Sequence, residues 1–240
     1  MSSLTAALQS SIGKKFVMGL TGLFLCFFLV VHLGGNLLLY VGDGSAYNAY
    51  AHKLHATPAF LYTAEFFLYA AFLVHIYLAF ATSGINWTAR GDAPYAEKQT
   101  KIYNRVLGIE PESIMFFTGA MVLGFTIIHL FDFKPEWSDY AGVEPYDKAL
   151  IILSSTSRKL IYGLGSLFVG LHVVHGLRSA FQSLGVNHPK YNRFLDILSV
   201  VFAIIVGVGF ASFTFGLFPG SKSDSPPEPP AAVGDVTPPQ

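Results

Sequence analysis

Residues 16–40 read FVMGLTGLFLCFFLVVHLGGNLLLY, a 25-residue stretch with no charged side chain and a single histidine, His32. A helix needs roughly 20 apolar residues to cross a bilayer. The stretch is long enough to span and too long for the apolar core of a secretion signal, about 7–15 residues. Four more stretches are long and apolar enough to span: Phe60–Ala81, Ile114–Phe131, Leu160–Leu177 and Phe194–Phe218. Lipid offers the backbone no hydrogen-bond partners, so only helices or closed barrels cross it. These runs show no alternation of period two, and helices follow. The expected fold is an all-α membrane protein, a bundle of five transmembrane helices over residues 1–218. The Pro-rich tail, residues 219–240, reads as disordered.

Composition agrees. The chain of 240 residues is 52% hydrophobic and 12% charged, whereas a soluble domain is about one quarter charged. Formal net charge is +0, which gives no footing for a nucleic-acid partner. The lone Cys26 excludes an intrachain disulfide and a thiolate cluster built by this chain alone. There is no phosphate-binding glycine loop, Walker sequence or nucleophile elbow. The chain therefore has no visible means of transforming a substrate alone.

Lysine and arginine orient the spans. The face that holds the N-terminus carries Lys14, Lys15, Arg90, Lys98, Lys101, Arg105, Arg178, Lys190 and Arg193. The other carries Lys53, Lys134, Lys148, Arg158, Lys159 and Lys222, with an acidic loop at 132–147. The bias places the N-terminus in the cytoplasm and the C-terminus outside. Residues 1–15 read as an amphipathic lead-in. The segment YNAYAHKLHATP at 47–58 reads as an interfacial helix that stops before Pro58. The long loop 84–113, with Trp87, Arg90, Tyr95 and Tyr103, suits docking of a partner.

Four spans each carry an interior histidine: His32, His75, His129 and His172. Imidazoles at membrane depth are costly and usually functional. Because alternate spans run in opposite directions, His32 and His129 fall past mid-membrane toward the outside, and His75 and His172 toward the cytoplasm. The two levels should lie roughly 10–15 Å apart at 1.5 Å per residue. Paired imidazoles at each level would supply the axial positions of two haem irons. A single buried histidine can simply bond a neighbouring helix, and imidazole also suits other transition metals. A metal transporter would add carboxylates or thiols, and here the interiors offer only Glu65 and Cys26. His175 lies one turn below His172, while His52, His55 and His188 read as surface residues. Recurrent glycines (Gly19, Gly22, Gly119, Gly124, Gly163, Gly165, Gly170, Gly176) fit either close helix packing or room for a flat macrocycle.

The motifs point to a family. SIGKKFVMGLTG at 11–22, VVHLGGN around His32, YNAYAHKLHATP, FLVHIYLA around His75, IIHLFDFK around His129 and LHVVHGLRSAFQSLGVNHP around His172 occur in order. Over about residues 10–218 the chain resembles the di-haem cytochrome b membrane anchor of succinate dehydrogenase and fumarate reductase, in its single-chain, five-helix bacterial form. The resemblance implies two stacked b haems, the outer held by His32 and His129 and the inner by His75 and His172. Its His-x3-Gly-Leu pattern selects His172 over His175. It implies partners on the cytoplasmic face, a flavoprotein subunit with FAD and a subunit with iron–sulfur clusters. It also implies electron transfer to a quinone, of the menaquinone type, near the outer haem. Some members carry a glutamate two positions before the last ligand, where this chain has Gly170. A cytochrome b serving another dehydrogenase, such as a hydrogenase or formate dehydrogenase, is the alternative of nearest chemistry.

Overall fold

The computed structural model describes residues 3–90, 111–134, 140 and 142–215. Most of the expected docking loop and the whole 219–240 tail lie outside them. Among the described residues the helices are α1 (Ser3–Gln9), α2 (Ser11–Asn36), α3 (Ser45–His55), α4 (Pro58–Arg90), α5 (Pro111–Phe133), α6 (Pro145–Ser154), α7 (Thr156–Ser183) and α8 (Pro189–Ser212). Single 3₁₀ turns extend α2 over Leu37–Tyr40 and α8 over Phe213–Phe215. Five helices are long and apolar enough to cross a membrane: Ser11–Tyr40, Pro58–Gly84, Ile114–Phe133, Thr156–Ser183 and Pro189–Phe215. Each contains or closely overlaps one expected span. The outward faces are apolar, with Phe27, Phe66 and Phe194 about two-thirds exposed. That arrangement suits lipid, in which helices associate by packing rather than by hiding apolar surface.

Local signals set the helix ends. Ser10 breaks the N-terminal lead-in into α1 and α2, and its hydroxyl oxygen accepts from the Gly13 amide to cap α2. Pro58, Pro111, Pro145 and Pro189 open four helices, where a missing N–H costs nothing. The segment 47–58 forms most of α3, and α6 was not anticipated. These two short helices cap one end of the bundle. His52 Nε2 meets Glu144 Oε2 at 2.9 Å, and the Tyr146 amide donates to Asn48 Oδ1 at 2.8 Å. The Tyr146 ring packs on Gly44, which has φ +87°, a conformation favourable to glycine and leaving no room for a Cβ.

Around the bundle α4 packs on α2, α2 on α7, and α7 on α5, with α8 lying against α7 and α2. Small residues bring α7 and α8 closest. A Cβ on Gly170 would lie 3.1 Å from the Ala203 carbonyl oxygen and 3.3 Å from Gly207 Cα. A glutamate at position 170 therefore has no space. The α4–α5 gap is instead bridged by long side chains: Phe80 on Phe116, and Lys134 Nζ to both Glu65 oxygens at 2.8 and 2.9 Å.

The two hairpins α2–α4 and α5–α7 are a quasi-repeat. A shift of 97 residues (Thr21 to Thr118) also carries Met18 onto Met115, Gly22 onto Gly119, Phe28 onto Phe125, His32 onto His129 and His75 onto His172. The correspondence extends to contacts. Each hairpin joins a threonine hydroxyl to a histidine 54 residues further along.

Candidate functional site: two imidazole pairs

The bundle brings the four histidines together as two diagonal pairs. His75 on α4 faces His172 on α7, with ring centres 6.4 Å apart and planes at 80°. His32 on α2 faces His129 on α5, at 5.7 Å and 79°. His172, not His175, is the ring opposite His75. His175 is buried on α7, and its Nδ1 has no hydrogen-bond partner among the described residues.

The levels are well separated. The His75 ring lies beside Thr21, and Thr21 and His32 are 11 residues apart on α2 (21 to 32). At 1.5 Å per residue that is about 16 Å along the helix, just beyond the 10–15 Å expected from the sequence.

The pairs differ in their surroundings. At the His75–His172 level, His75 Nδ1 is 3.3 Å from Thr21 Oγ1 and His172 Nδ1 is 3.2 Å from Thr118 Oγ1. Gly22 and Gly119 give the rings their space, since a Cβ on either would lie 3.4 and 3.3 Å from the imidazole Cε1. At the other level the enclosure is aromatic. Phe28 stacks on His32 at 5.2 Å, Phe210 packs against the same ring at 5.5 Å, and Phe125, Phe133 and Tyr162 surround His129. Beyond them Tyr162 donates to Asp132 Oδ2 and Arg158 Nη2 meets Asp132 Oδ1, both at 2.9 Å. Asp132, read from the sequence as part of an acidic loop, is the buried end of α5.

The glycines divide between the two readings open to them. Gly19, Gly165 and Gly170 are sites of close packing, against Ala180, the Phe125 ring and Gly207. Gly22 and Gly119 make room for imidazoles, while Gly124 has nothing within 4 Å of a notional Cβ.

The remaining sequence candidates lie elsewhere. His52 and His55 are on α3, and His188 caps α8 by accepting from the Lys190 amide. Tyr47 on α3 is buried enough that its hydroxyl is pushed up to about 12, with Tyr50 adding to the effect, so it stays protonated at neutral pH. Glu65 is held by Lys134, and Cys26 is a free, partly buried thiol. Thr21, Thr118 and Tyr162 were not among the residues singled out from the sequence, and Asp132 and Arg158 were read there only as loop charges. The 97-residue spacing was the available signal for the threonines.

The donor set has a chemical meaning. A metal–imidazole bond is about 2 Å, and a ring centre lies about 1.1 Å behind its nitrogen. Two imidazoles bound in line to one metal thus have ring centres about 6.3 Å apart. The His75–His172 pair stands at that spacing, and the His32–His129 pair is somewhat closer. No group of three or more His, Cys, Asp or Glu side chains able to hold a metal occurs among the described residues. Compared with family models, characterised proteins and solved structures, the chain finds no match.

Proposed function

We propose that the chain is a di-haem cytochrome b, the membrane anchor of a succinate:quinone oxidoreductase. The observation that carries this reading is the pairing of four interior imidazoles at two levels of one bundle, two ligands at each. His75 and His172 would hold one haem iron and His32 and His129 the other. Bound haem supplies a reversible one-electron ferric/ferrous couple at each level.

The chain's own work is placement. The helices hold the two imidazole pairs at separate levels of one apolar bundle. In this reading electrons from succinate pass through FAD and iron–sulfur clusters in soluble partner subunits on the cytoplasmic face. His75 with His172 and His32 with His129 would hold the haems that relay those electrons to a quinone near the α3–α6 cap. The His-and-Tyr-rich α3 and the Glu65–Lys134 pair stand at that end, where a quinone needs polar groups. The electron-transfer assignment itself comes from the sequence motifs, with the cytoplasmic face set by the lysine and arginine bias.

The test is to purify the full-length protein from membranes with its associated subunits and quantify haem as the pyridine haemochrome. Two b haems per chain are expected, extractable without breaking thioether bonds because no Cys-x-x-Cys-His occurs. A ratio near zero or one overturns the di-haem reading. Co-purification of a flavin-containing subunit active on succinate supports the complex. A hydrogenase or formate dehydrogenase subunit in its place keeps the haems and replaces the partner.

A further inference from the structure

We infer that Thr21 and Thr118 are positioning residues. Their hydroxyl oxygens accept the Nδ1 protons of His75 and His172, leave both Nε2 atoms free for iron, and lower the reduction potential of the haem at that level. The inference rests on the di-haem reading above.

The proton count gives the direction of these bonds. A threonine hydroxyl has one hydrogen to donate. Thr21 Oγ1 lies 3.0 Å from the Val17 and Met18 carbonyl oxygens. Thr118 Oγ1 lies 2.9 and 3.2 Å from those of Ile114 and Met115. These backbone carbonyls can only accept, and each hydroxyl proton is assigned to one of them, along its own helix. The oxygen then faces the imidazole as an acceptor, and Nδ1 must carry the ring proton. Nε2 is left unprotonated on each ring, with its lone pair free to bind a metal.

The arrangement is confined to one level. His129 Nδ1 is buried with no partner among the described residues. Among the described residues His32 Nδ1 has only the Asn36 amide nitrogen, at 3.5 Å, too long for a strong bond. The repeat thus carries two copies of the threonine device, both on the His75–His172 pair. An acceptor on the distal ring nitrogen makes a histidine ligand more basic. A more basic ligand favours the ferric state. Reduction of that iron takes one electron, and the Nδ1 proton stays where it is.

Redox titration of the full-length protein, purified from membranes with its accompanying subunits, tests this in Thr21→Val, Thr118→Val and the matching Ser variants. The haem lost in His172→Ala identifies the component at this level. Each Val variant should raise that haem's potential, by up to a tenfold change in the ferric-to-ferrous ratio at fixed potential, about 59 mV for one electron. The other haem should not move, and Ser should restore the wild-type value. The hydroxyls bond only carbonyls of their own helix besides the imidazoles, so Val leaves the helix ladders intact. Two haems with unshifted potentials, a common shift of both, or a Ser variant that behaves like Val overturns the threonine assignment alone. A wild-type protein without haem removes the di-haem reading and this inference together.

Discussion

The two imidazole levels descend from the same repeated pattern but are held by different physics. At the His75–His172 level each ring has a hydroxyl partner and a glycine opposite. At the His32–His129 level the rings are wedged among Phe28, Phe125, Phe133, Tyr162 and Phe210. Hydrogen bonds fix which nitrogen is free, and aromatic packing fixes only where the ring sits. A duplicated helical hairpin can thus place ligands symmetrically while its neighbours make the two sites chemically unequal.

The strongest way to break the comparison is to delete one ligand per level. On the di-haem reading, His172→Ala should abolish or convert to high spin one haem and leave the other low-spin, and His129→Ala should do the reverse. His175→Ala should retain both, since its ring does not face His75. Absorption and electron paramagnetic resonance spectra check this, and haem loss in His175→Ala with retention in His172→Ala would reverse the pairing. The near-perpendicular ring planes at both levels should give strongly anisotropic low-spin ferric signals in the wild type.

Next in size is the polar group behind the His129 level. Asp132→Ala leaves the Tyr162 hydroxyl and Arg158 without their carboxylate partner. Breaking a buried pair costs about 3–5 kcal/mol, but Arg158 is 37% exposed and solvent lowers this to about 2 kcal/mol. Thermal unfolding in detergent should show the loss, with Asp132→Asn losing less because it still accepts from Tyr162. Equal stability of Asp132→Ala and wild type would mean that the cluster does not hold this end together.

Glycine substitutions sharpen the contrast further. Gly170→Ala forces the α7–α8 contact apart and should cost about 1–3 kcal/mol, the usual range for overpacking. Gly22→Ala and Gly119→Ala crowd the His75–His172 rings and should perturb that level's spectrum by similar amounts, as the repeat requires. Gly124→Ala, in open space, should be silent in both measurements. The smallest effect belongs to the cap. His52→Ala removes a pair whose side chains are 62% and 52% exposed, which should change stability by no more than about 0.5 kcal/mol, and less at high salt. A larger loss would show that α3 and α6 depend on that contact more than their exposure implies.

Five spans, helical rather than barrel, were legible in the sequence because lipid leaves so few solutions to backbone hydrogen bonding. Apolar stretches of the right length suffice to call for them. The depth of each histidine was equally legible, since rise per residue is fixed and alternate spans reverse direction. That arithmetic matched His32 with His129 and His75 with His172 by level. Tertiary structure decided what depth cannot: rotation about each helix axis and the distance between axes. Rotation separates His172 from His175, which one turn of depth barely distinguishes, and turns Thr21 and Thr118 toward the imidazoles. Axis distance closes Gly170 against Gly207 while leaving Gly124 open, although both are glycines of apolar helices. Burial of Asp132 beside Arg158 and Tyr162 likewise depended on α5 meeting α7, residues far apart in sequence. Composition and periodicity set what each helix is, and only packing sets which of its faces meets which neighbour.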